Sequence, residues 1–334
     1  VNTNTEKLFF VIDKGANIFQ NELNITYLEG LAQVGEVIFQ KEVIQPLTEE
    51  NKKIIEEMLD GLESLENIKK EEYRRAMQLG ILKGMKEGTQ PHHTMTPDTV
   101  SLFIGYLVNK VMSYEKKDNS QPAVILDPAV GAGNLLTAVM NQMNNNAHGI
   151  GADADETLLS IAFVSSNLQE HSIDLLHQDS IASPFVKNVD VVVSDLPIGL
   201  YPKEQVAKDY ELASEEGKSF VHHLLMEQSF KHVKPGGFLF FVVPNFLFES
   251  EEAKNLHTFI KKEGYIYSFM QLPKTMFKSN SWGKSILVLR KKKAEINPPK
   301  QALLVELPSF SNESALSDMT KRISQWFDDY LRNE

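Results

Sequence analysis

The run Ala123-Val124-Ile125-Leu126-Asp127-Pro128-Ala129-Val130-Gly131-Ala132-Gly133-Asn134 constrains the fold of this chain more than any other segment. A short apolar strand ends in an acid, two glycines one residue apart permit a tight turn, and an apolar helical pattern follows at once. A strand that is apolar on both sides must be covered on both faces, which calls for parallel neighbours and crossover helices. Matching apolar runs occur at 148–152, 174–177, 190–194, 238–243, 266–272 and 285–290, seven strands with the first. Helical patterns at 134–143, 156–168, 219–233 and 249–262 fall between them. The alternation predicts an α/β fold with a Rossmann-like, mostly parallel seven-stranded sheet and helices on both faces. Ligands of such a sheet bind at the carboxyl ends of its strands. Residues 302–307 are a candidate edge strand, and 318–331 form an amphipathic helix with Ile323, Trp326, Phe327 and Tyr330 on its apolar side.

The first ninety residues read differently. Leu8, Phe9, Val11 and Ile12 form an apolar patch, and Leu23, Tyr27, Leu28, Leu31 and Val34 follow at helical spacing up to Gly35. Thr48 is a candidate N-cap ahead of Glu49 and Glu50, and another helix covers 71–85. With no strand–helix alternation, residues 1–90 are expected to form a small all-α N-terminal domain and residues 91–334 the α/β domain. The two glycines and one proline of segment 84–93 mark the boundary. Thr96-Pro97-Asp98 then has the order of a helix start.

Composition removes several function classes. The chain has no apolar run of the roughly 20 residues that a spanning helix needs, so no membrane role is expected. Its N-terminus lacks the basic-then-apolar order of a signal peptide, and the absence of cysteine fits a reducing compartment, so a cytoplasmic location is expected. Thiolate metal sites are excluded and no metal is expected. A formal net charge of −11 opposes an unaided grip on nucleic acid, whose binding rests on phosphate neutralisation.

The glycine turn alone is shared with dinucleotide enzymes, but two features separate this chain from them. An acid precedes the turn, where a pyrophosphate would be repelled, and Leu136 stands where the third glycine of that fingerprint belongs. A carboxylate suits instead the cationic amino and sulfonium groups of S-adenosylmethionine. The second strand runs into Asp153, about twenty residues after the loop, where an acid accepts from both ribose hydroxyls. Asp155 is its competitor or the cap of the next helix. The third strand leads to Asp179, placed to accept from the exocyclic amine of an adenine. With them go their neighbours Pro128, Ala129, Gly131, Gly133, Asn134, Leu135, Ala154 and Ser180 as candidate cofactor-binding residues.

In this order Thr96-Pro97, Asp127 to Gly133, Asp153, Asp179 and Ser194-Asp195-Leu196-Pro197 resemble the N6-adenine DNA methylases. The likeness is greatest to the modification subunits of type I restriction systems and their stand-alone relatives, which are class I methyltransferases. Lys234-Pro235-Gly236-Gly237, Leu272-Pro273 and Phe277 also match the pattern. The resemblance covers most of the chain, the helical N-terminal region included. It implies S-adenosylmethionine as cofactor, with Thr96 and its neighbour Met95 at the methionine carboxylate, and adenine in DNA or RNA as methyl acceptor.

The family's target motif is Asn/Asp-Pro-Pro-Tyr/Phe after the fourth strand. A side-chain oxygen and a backbone carbonyl accept the two N–H bonds of a poorly nucleophilic amine, and the aromatic ring stacks on the base. Here Asp195, Leu196 and Pro197 are the catalytic candidates, while Ile198 stands at the aromatic position. Tyr201 is either a substitute ring or loop packing. The altered motif leaves two alternatives open: a protein-glutamine or other amine methyltransferase, and a non-catalytic cofactor-binding interaction module. The helical N-terminal domain is then a candidate docking site for a protein partner. His222 and His223 are expected to pack on the helix before the fifth strand, and His92 and His93 lie close to Thr96. The basic run Lys291 to Lys293 reads as a solvated edge.

Overall fold

The computed structural model describes residues 3–88, 95–115, 120–144, 146–183 and 188–332, so His92 and His93 lie outside the described residues. Four helices come first: α1 (Asn4–Leu23), α2 (Tyr27–Gln40), α3 (Glu49–Glu63) and α4 (Lys70–Glu87). After α5 (Asp98–Met112) come β1 (Ala123–Asp127), α6 (Asn134–Asn141), β2 (Ala147–Asp153), α7 (Glu156–Leu168), β3 (Ile173–His177) and β4 (Val189–Asp195). Next are α8 (Glu204–Ala207), α9 (Val221–His232), β5 (Val233–Pro244), α10 (Ala253–Glu263), β6 (Gly264–Gln271), β7 (Lys284–Lys291), β8 (Leu303–Glu306) and α11 (Glu313–Leu331).

The strand order of the sheet is β3-β2-β1-β4-β5-β7-β6-β8. The pairs β2/β3, β1/β4 and β4/β5 are parallel, and β7 runs antiparallel to both β5 and β6. The candidate edge strand is real and makes eight strands where seven were counted. β8 pairs parallel with β6 from Ser268↔Leu303 to Gln271↔Glu306. None of the described helices is long and apolar enough to cross a membrane.

The chain forms two compact units. One comprises Val1–Pro97 with Val130–Gln178, the other Asp98–Ala129 with Asp179–Glu334. In the first unit Leu8, Ile12 and Phe19 of α1, Leu31 and Val34 of α2, and Met77 and Ile81 of α4 share one apolar cluster with Ile161 and Val164 of α7. The early helices therefore bury their apolar faces partly on one another and partly on α7. The periodic run expected from Leu23 to Gly35 is not one helix. Asn24 takes a left-handed conformation that ends α1, and Thr26 and Glu29 form a reciprocal capping box that starts α2.

Gly35 does not end α2, contrary to expectation. A Cβ there would lie 2.7 Å from Cγ2 of Val164, so the glycine permits close approach to α7 rather than a turn. Gly30 does the same toward α1, where a Cβ would fall 2.5 Å from the Ala16 carbonyl oxygen. That obstacle is backbone and cannot rotate away. Gly30→Ala is expected to destabilise the unit by about 1–3 kcal/mol, as overpacking does. A thermal melt identical to wild type would refute this packing.

In the second unit the core is the Phe238–Val243 stretch of β5 beside Ile286, Leu287, Val288 and Leu289 of β7. The ring of Tyr267 on β6 stacks on Phe327 of α11. Lys291 is not a solvated edge: its ammonium donates to the Phe230 and Val233 carbonyls at the end of α9, at 2.6 and 3.0 Å. Cations are favoured at the negative end of a helix.

Candidate functional site

In the first unit the glycine turn has the geometry that its sequence demands. Gly131 and Gly133 have φ of +53° and +82°, values at which a side chain is strained. Within 4 Å of where a Gly131 Cβ would stand there is only open space. The turn is fastened to β2: the Val130 N–H donates to the Ala152 carbonyl at 2.9 Å, and the Gly131 N–H to Asp153 Oδ2 at 2.8 Å. Asp153 Oδ1 accepts from the Asp155 N–H at 2.9 Å. Each oxygen of Asp153 therefore holds the protein backbone, and a carboxylate oxygen has a second lone pair for a ligand hydroxyl. Burial raises the Asp153 pKa, and the hydrogen bonds from Asp155 and Gly131 only partly oppose that. Hydroxyl donors from a ligand would relieve this half-buried charge.

Asp155 is the cap of α7, accepting from the Leu158 N–H at 3.0 Å. The Ala154 carbonyl accepts from His177 Nε2 at 3.0 Å. Leu135 is buried in α6, Thr96 is buried, and Met95 packs on the apolar cluster that includes Ala132 of the glycine turn. Asn134 opens α6 without a side-chain cap ahead of it, and its Oδ1 accepts from Nη1 of the buried Arg74 at 2.8 Å. Its amide Nδ2 has no hydrogen-bond partner.

The second unit holds the remaining acids. Asp127, 1% exposed, accepts at Oδ1 from the Ala129 N–H at 3.0 Å and from the Ser194 hydroxyl at 2.8 Å. The acid of β1 is thus tied to the residue that precedes Asp195 on β4. The Pro128 carbonyl accepts from the Ser180 hydroxyl. Asp179 accepts at Oδ1 from the Ile181 and Ala182 N–H groups, and at Oδ2 from the Tyr201 hydroxyl at 2.7 Å and the Lys203 ammonium at 2.9 Å. Burial raises its pKa, but Lys203, Tyr201 and the two backbone donors outweigh burial and leave the net shift downward. Four donors fill a carboxylate's usual capacity, so an adenine amine would have to displace one, and the exposed Lys203 is the most easily displaced.

Asp195 ends β4, and its Oδ1 accepts from the Lys284 ammonium at 2.9 Å. Leu196 is buried with its N–H on the Val242 carbonyl at 3.2 Å, while Pro197 is exposed. Ile198 is 49% exposed and presents an aliphatic surface where the target motif carries a ring. Tyr201 is 4% exposed with its hydroxyl on Asp179, so its ring packs within the loop. The Val221 N–H donates to the Gly199 carbonyl, which joins the start of α9 to the motif loop. There His222 and His223 are buried and edge-to-face with each other, as expected of packing residues.

Sequence reasoning missed Arg74 and Lys284. An arginine at helical spacing with Met77 and Ile81, three residues after Glu71, was a readable sign of a buried ion pair. Lys284 carried no such sign, because its partner lies 89 positions away.

An N-6 DNA methylase family model matches residues 84–332, and a YtxK N-terminal helical domain model matches residues 6–85. The uncharacterized protein YtxK of Bacillus subtilis is 43% identical over 324 residues, covering 96% of each chain. A Listeria monocytogenes crystal structure, provisionally assigned as a class I S-adenosylmethionine-dependent methyltransferase, is 44% identical with a TM-score of 0.88. That match covers 98% of this chain and all of the other. The methyltransferase subunit of a type I restriction-modification system from Streptococcus thermophilus shares the fold, at 15% identity and a TM-score of 0.64. It is covered over 74% of its length by 95% of this chain.

Proposed function

Because the chain belongs to the N-6 DNA methylase family, a group of S-adenosylmethionine-dependent methyltransferases, we propose that it moves a methyl group onto a substrate nitrogen. The observation that carries the reading is the bond from the Gly131 N–H to Asp153, which fastens the glycine turn to the acid ending β2. The empty space beside Gly131, the unpartnered amide of Asn134 and the remaining lone pairs of Asp153 fit S-adenosylmethionine. When bound, that molecule supplies a methyl group activated by a sulfonium.

The residues divide the work as follows. Asp153, with Ala154 beside it, would hold the ribose hydroxyls, and the turn Gly131 to Leu135 would hold the methionyl portion with Met95 and Thr96. Asp127, with Pro128 and Ala129, would favour the cationic end, while Asp179 and Ser180 would meet the adenine. Asp195 and the Leu196 carbonyl would accept the two N–H bonds of the acceptor amine. That geometry orients its lone pair and makes positioning the main source of acceleration. Pro197 stiffens the motif on the side away from Asp195. In this reading residues 1–90 form a helical N-terminal domain and residues 91–334 the catalytic domain.

Family membership favours adenine in nucleic acid as the acceptor. A second reading, an amide or amine on a protein, is favoured by one observation: the exposed aliphatic Ile198 offers no ring to a base, and the Tyr201 ring is buried. Calorimetry with S-adenosylhomocysteine tests the common part. Wild type is expected to bind, and Asp153→Ala to bind about 100-fold more weakly, through the loss of paired hydrogen bonds at a half-buried carboxylate. A wild-type protein that takes up no heat with this ligand would overturn the proposal.

A further inference from the structure

We infer that Arg74, on α4 of the N-terminal helices, is a positioning residue. It turns the amide of Asn134 so that its NH2 group receives the carboxylate of the amino-acid end of the cofactor. The inference rests on the S-adenosylmethionine reading above.

The chain of constraint begins with burial. Arg74 is 1% exposed, and a guanidinium in that position must have its donors met. Nε and Nη2 are directed at the two oxygens of Glu71, and Nη1 at Asn134 Oδ1. A guanidinium can only donate, so Asn134 must turn its oxygen toward Arg74. Its NH2 group then faces the other way. That group meets no acceptor, although Asn134 is only 6% exposed.

The position of this donor identifies the chemistry that it awaits. Asn134 is the first residue of α6, and the first bond within the helix runs from the Thr137 N–H to the Gly133 carbonyl. The N–H groups at the start of a helix have no intrahelical partner and carry the positive end of its dipole. Gly133 provides no side-chain cap. An unsatisfied amide donor at such an end calls for an anion. The amino-acid carboxylate is the one anionic group of S-adenosylmethionine and of S-adenosylhomocysteine.

Helix α6 is also held at its far end by the same pair. The Asn141 amide donates to Glu71 Oε2 at 2.8 Å and to Gln169 Oε1 at 3.0 Å, and His171 bonds to Asn141 Oδ1. Glu71 and Arg74 thus fix both ends of α6 against α4. The N-terminal helices act as part of the cofactor machinery.

The test compares two ligands that differ in this carboxylate: S-adenosylhomocysteine and 5′-methylthioadenosine, which keeps the nucleoside but lacks the amino acid. Asn134→Asp retains an acceptor for Arg74 and replaces the NH2 donor with an oxygen. It is expected to melt no lower than wild type and to bind S-adenosylhomocysteine about 20-fold more weakly or worse, the loss of a charge-assisted bond. Affinity for methylthioadenosine should stay within about threefold, since no hydrogen bond to it is removed. Arg74→Met frees the amide to flip and should show the same selective loss at smaller size. If that variant fails to fold, Arg74→Gln replaces it, and Asn134→Asp alone decides whether the NH2 group is the donor. Wild-type affinity of Asn134→Asp for S-adenosylhomocysteine, or equal weakening of both ligands, would overturn the inference and leave the methyl-donor reading standing. A wild-type protein that binds neither ligand removes both.

Discussion

Asp195→Ala is expected to lower methyl transfer by about 100-fold or more while affinity for S-adenosylhomocysteine stays within about twofold, the pattern for loss of an interaction made in the transition state. The oxygen that would hold the acceptor N–H disappears. Asp195 is also the ion-pair partner of Lys284, which is only partly buried and can be hydrated when left alone. The folding cost is therefore small, because partly exposed pairs contribute little. Asp195→Asn should restore transfer to within about tenfold of wild type, since an amide oxygen accepts the same hydrogen bond. The assay is labelled methyl transfer from S-adenosylmethionine into cell extract fractionated into nucleic acid and protein, so it also reports the acceptor class. Equal transfer by wild type and Asp195→Ala would remove Asp195 from the chemistry.

The second large effect is on stability in mild acid. Burial pushes His222 down to about 3, helped by the neighbouring His223, and pushes His223 down to about 4. Burial and then the Lys70 charge push His171 down to about 4. An unfolded histidine titrates near 6.5, so between that pH and about 4 the unfolded chain takes up protons that the fold refuses. Stability is therefore fully present above pH 6.5 and is lost as pH falls toward 4. His222 and His223 together are expected to remove about 2.5 kcal/mol per pH unit in the middle of that window. Urea midpoints at pH 7.5, 6 and 5 should fall steeply, and His222→Gln with His223→Gln should flatten the slope whatever it does to the value at pH 7.5. Midpoints that do not change from pH 7.5 to 5 would contradict the buried, neutral state of these imidazoles. Because α9 begins against the motif loop, acid should disturb that loop early in unfolding.

Much of this protein could be read without coordinates because its informative signals are local. The apolar runs of β1 and β4 need cover on both faces whatever their neighbours are. Gly131 and Gly133 carry positive φ angles at which a side chain would be strained, and the acid that closes the second apolar run lands at the end of β2 by chain geometry alone. Thr48 caps α3 as its hydroxyl and the acids after it suggest. Residues with two local explanations were harder. Gly35 looks like a helix end in sequence, yet it lies inside α2 because Val164 of α7 needs the space. Tyr201 is equally at home as a stacking ring or as packing until its hydroxyl is seen on Asp179.

Residue type and local spacing were enough to specify the doubly wound sheet, the glycine turn with its acids, and the departure of the target motif at Ile198. Each depends on side-chain type and on spacing within a few residues. Long-range packing alone brings Arg74 to Asn134 and Lys284 to Asp195, and surrounds Asp179 with donors. Those contacts join residues 60, 89 and up to 24 positions apart, and no periodicity encodes such pairs. Burial makes the first of them matter most, because the buried Arg74 guanidinium must find its partners wherever the fold brings them.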